Sequence, residues 1–210
     1  AEPENARAKS KGTELVLYNM ATGEMRSVQG VMEYTMSKNG DYLFYEFDEV
    51  DSMNPSGVYA MNTDMGVPMQ LSTGMTDYKK MSVSDEGNQM AFFATKSDKD
   101  ADDKFWSVMY WSGNGSANLL VDSLTAGIPE GWIVGDNSSL QFSESGRRLY
   151  FGTAPKPIKF DYESDTTLLK EERPELDVWS YNDPYIQPMQ KLQANREKNR
   201  TYQVVFDLQT

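Results

Sequence analysis

The stretch "FSESGRRLYFG", Phe142 to Gly152, holds an apolar residue, a turn built on Ser143 and Gly146, and a second apolar run through Leu149 and Phe151. The chain contains the same phrase twice more, as "VSDEGNQMAFF" from Val83 to Phe93 and "MSKNGDYLFY" from Met36 to Tyr45. Aligned on the turn, Ser37, Ser84 and Ser143 each precede a glycine by three residues, namely Gly40, Gly87 and Gly146. Serine can bond to the turn backbone and glycine can adopt a positive φ, so both types recur for a steric reason. Before each serine stand Tyr34 with Met36, Met81 with Val83, and Leu140 with Phe142; after each glycine come Leu43 with Tyr45, Met90 with Phe92, and Leu149 with Phe151. Period-two spacing of apolar residues is the signature of strands with a buried face, so each phrase is expected to be strand, turn, strand with these side chains inside.

A second phrase lies between the hairpins: "LYNMATG" at Leu17, "VYAMNTDMG" at Val58 and "VMYWSGNG" at Val108, each an aromatic strand running into a glycine turn and then a short strand such as "MQLS" or "NLLVD". The whole unit is four strands recurring at roughly fifty residues, which is how a β-propeller blade reads in sequence. A sandwich with three similar hairpins is the competing reading. The predicted fold is all-β, a partial β-propeller of about three to four antiparallel four-stranded blades. In the same register "VFDLQT", Val205 to Thr210, matches the third-strand phrase, so the strands are expected to fall as two, four, four and three. Such a set would be a piece of a larger ring, or would take its missing contacts from a second copy, with open sheet edges that favour self-association. Residues 1–12 are expected to form a flexible segment and residues 13–210 the incomplete propeller, carrying an insertion over about residues 152–200.

Composition narrows the chemistry. Of 210 residues, 39% are hydrophobic and 12% aromatic, enough for a sizeable core. Twenty Lys and Arg against 32 Asp and Glu leave a net charge of -12, which disfavours a nucleic-acid partner. No apolar run is long enough to span a membrane as a helix, and no membrane partner is expected. The sequence contains no cysteine and no histidine, which excludes thiol nucleophiles and any His-containing catalytic triad within this chain. It also lacks a Gly-x-Ser-x-Gly elbow. Carboxylate-pair chemistry on a propeller would need two facing acids, which the pattern does not single out.

Several segments break the repeat. Asp98, Asp100 and Asp102 alternate as at the start of a calcium loop, but Asp103 stands where the turn glycine belongs and Met109 where the closing glutamate belongs, so a solvated hairpin tip is expected and no metal or cofactor is assigned. "GNG" at Gly113 to Gly115 reads as a hairpin turn. "TAGIPEGWIVGDNSS" lengthens the link before the third hairpin, and Trp132 within it is expected to pack under a blade. In the late insertion, Asp183 before Pro184 reads as a cap with a first-turn proline. A short helix is predicted to run on through Gln190 to about Lys198 with Ile186, Met189 and Leu192 on one face. Asn114, Asn137 and Asn199 each open an Asn-x-Ser/Thr triplet, which matters only in a secretory eukaryotic context.

The phrases "GWIVGDNSSLQFSESGRRLYFGTAP" and "LDVWSYNDPYIQPMQKLQANREKNRTYQVVFDL" resemble the propeller region of bacterial prolyl oligopeptidase-like serine peptidases, relatives of dipeptidyl peptidase IV and acylaminoacyl peptidase. The resemblance runs from about Gly12 to Thr210 and is strongest from Trp132 onward. It implies a parent with a C-terminal α/β-hydrolase domain that carries the catalysis, a propeller that sieves peptide substrates, and a periplasmic or secreted bacterial location. No catalytic residue of the family has a counterpart here. Glu171 and Glu172 in "KEERPEL" lack the surroundings of the glutamate pair that dipeptidyl peptidases use to hold a substrate amino terminus, and no substrate-binding residue is assigned. The expected function is a non-catalytic propeller segment that gates peptide access and docks a hydrolase domain. The alternative is a stand-alone TolB-like scaffold that binds a protein partner.

Overall fold

The computed structural model describes residues 12–48, 56–98, 101, 103–157 and 180–209. It contains thirteen strands and one helix among those residues: β1 (Thr13–Tyr18), β2 (Met25–Met36), β3 (Tyr42–Phe47), β4 (Gly57–Asn62), β5 (Pro68–Thr73), β6 (Asp77–Val83), β7 (Met90–Thr95), β8 (Trp106–Trp111), β9 (Asn118–Val121), β10 (Trp132–Val134), β11 (Gln141–Phe142), β12 (Arg148–Pro155), α1 (Gln187–Lys198) and β13 (Tyr202–Asp207). Every pairing is antiparallel.

The strands fall into blades in the predicted order. The first blade has β1 and the opening half of β2, the second has the rest of β2 with β3, β4 and β5, the third has β6 to β9, and the last has β11, β12 and β13. Strand β2 serves two blades. It pairs with β1 over Met25 to Val28 and again at Val31, and with β3 from Val31 and over Glu33 to Met36, bending about Val31, where both registers shift next to Gly30 at φ 79°.

Three apolar layers hold the blades face to face. Alternation along each strand sends successive side chains to opposite neighbours. On β7, Met90, Phe92 and Ala94 meet Phe44, Val58, Ala60 and Leu71 of the second blade. Ala91 and Phe93 of the same strand meet Leu140, Phe142, Leu149 and Phe151 of the last blade. On the far side of the second blade, Leu43, Tyr45 and Met61 pack with Leu15, Leu17 and Val28 of the first. A two-layer sandwich has one such interface, and the described residues form three in series. Strand β6 also lies against β2 on one side and β11 on the other, so the first strands of successive blades converge on a common rim. Serial layers with converging first strands define a fan of β-propeller blades, which sets the sandwich aside.

The structure departs from the sequence reading in three places. Tyr34 and Met36 are 61% and 49% exposed, whereas their counterparts Met81, Val83, Leu140 and Phe142 pack into cores. The side chains have the right period, but the first blade offers only two strands to cover them. Second, the link around Trp132 forms a strand of its own: β10 pairs with the end of β12 and touches β8 at a single pair, Val134 with Trp106, joining the last two blades into one sheet. Third, α1 begins at Gln187 with Pro188 in its first turn, not at Asp183–Pro184. The Asp183 carboxylate accepts from the Ser180 backbone N–H at 2.8 Å and closes a separate turn, so it is not free to cap the helix. The helix ends at Lys198, where expected, and buries none of its residues.

Candidate functional site

The converging rim is the place where a propeller can do work, because it gathers turns and first strands from several blades. Its unit is the repeated turn. In all three copies the serine hydroxyl accepts the backbone N–H five residues on: Tyr42 to Ser37 Oγ at 2.9 Å, Gln89 to Ser84 Oγ at 3.2 Å and Arg148 to Ser143 Oγ at 3.1 Å. In all three the glycine N–H returns to the serine carbonyl, at 3.0, 2.9 and 2.9 Å. Gly40, Gly87 and Gly146 take φ of 82°, 74° and 67°, the left-handed region that costs a glycine little.

The turns also stack on one another. A methyl group on Gly87 would meet the Ser37 side chain at 2.7 Å, and one on Gly146 would meet Gln89 at 2.8 Å, each belonging to the preceding blade. Asn39 Nδ2 donates to the Glu86 carbonyl at 3.1 Å, and Lys38 Nζ pairs with Asp85 at 2.6 Å, both across the same joint. At Gly40 a methyl group would meet nothing within 4 Å.

Strand β6 supplies two cations to the rim. Its register slips between Lys79 and Ser82, and Lys80 sits at φ 54°, an unusual conformation for a residue with a side chain. This bulge turns both amines toward the link before the last blade. Lys79 Nζ reaches Asp136 at 2.8 Å and lies 4.8 Å from the centre of the Trp106 ring, and Lys80 Nζ donates to the Ser138 carbonyl at 2.7 Å. Lys104 pairs with Asp77 at 2.7 Å. Nothing in the periodicity of "DYKKMSV" foretells the bulge, so these lysines were not candidates from sequence. Lys79 and Lys80 thus tie β6 to the link before the last blade, while the Lys104–Asp77 pair lies within the third blade.

Of the side chains singled out in the sequence, Trp132 packs, its ring 5.0 Å from that of Tyr202. Gly113 to Gly115 turn the hairpin between β8 and β9, and the Gly115 carbonyl accepts from the Trp111 indole at 3.1 Å. Asn137 and Asn199 meet at 3.4 Å through their amides. Asp98 is exposed, while Asp100 and Asp102 lie outside the described residues, as do Glu171 and Glu172. Among the described residues no three acidic side chains gather as metal ligands do.

Each end of the fan carries a groove. The first, about 510 Å³, runs between β1 and the second blade and is lined by Leu15, Leu17, Tyr34, Met36, Leu43 and Met61 among others. The second, about 530 Å³, lies beside the last turn and is lined by Gln141, Ser143, Glu144, Ser145 and Gln203 together with Phe142 and Tyr150.

The class of protein that this architecture defines is the β-propeller, here as an open run of blades. No protein-family model matches the chain, and no curated protein matches it. Solved structures similar to it include the tricorn protease (14% identity, TM-score 0.45, covering 68% of this chain and 13% of that one) and a structure from a study of two prolyl endopeptidases (10%, 0.46, 69% and 23%). TolB from Acinetobacter baumannii is similar at 14% identity and a TM-score of 0.41, over 66% of this chain and 31% of TolB. The chain therefore spans less than a third of the length of any of these three proteins. The blade assignment rests on the strand pairing and the three apolar layers.

Proposed function

We propose that the chain is a non-catalytic propeller segment of a serine peptidase, restricting peptide access to an α/β-hydrolase domain that this sequence does not contain, and docking that domain. The observation that carries the reading is the converging rim of β2, β6 and β11, where stacked turns and lysine bridges fix the inner strands around a common line. A backbone held in this way can sieve an extended peptide while the bond-breaking groups sit elsewhere. The sequence phrases from Trp132 onward, and the absence of histidine and of a nucleophile elbow, fit the same division of labour. A periplasmic or secreted location belongs to this proposal too. Among the described residues no helix is long and apolar enough to cross a membrane.

The purified chain should release no chromophore from peptide p-nitroanilides, and turnover that resists serine-directed inactivators would defeat the reading. Mixed with the hydrolase portion encoded by the parent reading frame, it should slow cleavage of unfolded casein while sparing a short p-nitroanilide. A reading frame that encodes no histidine and no Ser-centred elbow would favour the TolB-like scaffold instead.

A further inference from the structure

The chain holds two Asn-Gly steps, Asn39–Gly40 in the first repeated turn and Asn114–Gly115 at the tip between β8 and β9. In such a step the backbone nitrogen reaches the asparagine side chain with little hindrance, because glycine puts no side chain in the way. Both asparagines are exposed, so access does not separate them. Hydrogen bonding does. Asn39 Nδ2 donates to Asp41 Oδ2 at 2.7 Å and to the Glu86 carbonyl at 3.1 Å, and its Oδ1 accepts from the Asp41 N–H at 3.2 Å. The Gly40 N–H is itself engaged, on the Ser37 carbonyl at 3.0 Å. At the other step no described residue bonds the Asn114 amide or accepts from the Gly115 N–H, and a methyl group on Gly115 would meet nothing within 4 Å. The chain leaving this tip is tied to the core. The Gly115 carbonyl accepts from the indole of Trp111, which is wholly buried with its ring edge-to-face against Tyr42 and Phe44 of the second blade at 5.6 and 5.5 Å. Two residues on, the Ala117 N–H donates to the Leu71 carbonyl of the second blade at 2.8 Å.

We propose that Asn114–Gly115 is a site of spontaneous deamidation whose isoaspartyl product loosens the joint between the second and third blades. The Gly115 nitrogen attacks Asn114 Cγ; a C–N bond forms and closes a succinimide, and the amide nitrogen departs as ammonia with the proton that Gly115 gave up. Water then opens the ring. Cleavage beside Cγ leaves an aspartate, and cleavage at the backbone carbonyl leaves an isoaspartate, with the chain running through the former side chain and longer by one methylene. A methyl group on Gly113 would meet the Asn88 carbonyl at 3.0 Å, so the incoming limb of the tip is held and the added length falls on the outgoing limb. There it displaces Gly115 and Ala117. The Trp111 indole N–H is then buried without its acceptor and the Leu71 carbonyl loses its donor, both unfavourable away from water. The Asn39 step stays closed, because its bonds must break before a ring can form. The inference rests on the geometry of the tip and is independent of the peptidase reading.

The test follows the full chain by peptide mapping as it ages in mildly alkaline buffer. The Asn114 peptide should convert to a mixture of isoaspartate and aspartate. Asn39 should convert about tenfold or more slowly, the delay expected when several hydrogen bonds must break first. In urea the two steps should proceed alike, and Asp41→Ala, at an exposed position, should speed the Asn39 step in the folded chain. Asn114→Gln should abolish conversion at the tip. In the isoaspartyl fraction, hydrogen exchange at the Ala117 amide and the Trp111 indole should be about tenfold or more faster than in the unaged chain. Asn114→Asp, which carries the charge without the added methylene, should match the unaged chain. Equal rates at Asn39 and Asn114 in the folded chain, indifference of Asn39 to Asp41→Ala, or no conversion at Asn114 would each overturn the assignment of the site. Unchanged exchange at Ala117 and Trp111 in the isoaspartyl fraction, or the same loosening in Asn114→Asp, would overturn its effect on the joint.

Discussion

Single positions in the repeated turn separate two effects that glycine usually confounds. Gly40 and Gly87 share the left-handed conformation, but only Gly87 is pressed against a neighbouring blade. Gly40→Ala should cost about 1 kcal/mol through φ alone, and Gly87→Ala about 2–3 kcal/mol, since strain and clash add. Urea denaturation of the two variants measures the difference, and equal losses would mean the stacking contributes nothing. Tyr45 offers a second test at this scale. Burial, aided by the neighbouring Tyr59 hydroxyl with its ring stacked at 5.7 Å, pushes the Tyr45 phenol up to about 12. The folded state thus favours the protonated phenol. Its contribution to stability is whole below the ordinary tyrosine value of 10.0 and is lost as pH rises toward about 12. Burial also raises Tyr78 and Tyr110, so ultraviolet titration should show several tyrosines ionising late, with the component lost in Tyr45→Phe belonging to Tyr45, together with falling thermal stability in that window.

Elements were legible where a local rule decides them and not where a neighbour does. The serine and glycine of each turn answer to sterics within a few residues, so their roles could be read directly, and the strands around them followed from period two. Burial of Tyr34 and Met36 could not be read this way, because alternation says which face they share and not whether another blade lies over it. The start of α1 was misplaced for a related reason: Asp183 and Pro184 form a sound capping pair by type, but the carboxylate bonds to Ser180 and receives Gln190 Nε2 at 3.1 Å. Those two bonds hold the Asp183 carboxyl below its ordinary range. Lowered in the folded state, it supports the turn above that range and ceases to as pH falls through its own value. Acidification should therefore release the Asp183 turn before the blades unfold, seen as early loss of protection at the Ser180 and Asp183 amides. Asp183→Asn should flatten that step.

Across the whole molecule, the three apolar layers are the source of cohesion, and the middle one is the test. Phe92 is wholly buried between the second and third blades. Phe92→Ala should cost about 3–5 kcal/mol, and because each blade leans on its neighbours the loss should appear as one cooperative shift in the urea midpoint, not as a separate early transition. At this scale the sequence disclosed the order and number of blades, since those follow from counting repeats. It did not disclose the lysine bulge in β6 or the short β10, which depend on what a strand meets in space.

Strand β2 makes the first two blades a single mechanical part. One unbroken backbone carries hydrogen bonds to β1 along its opening half and to β3 along its closing half, with only the bend near Gly30 between them. Tension applied at the amino end would be borne by that continuous spar and shared across both sheets at once. The third and last blades are likewise tied into one sheet through β10, whereas among the described residues no strand pairs the second blade with the third, so pulling on the molecule should open it first at the joint between those two.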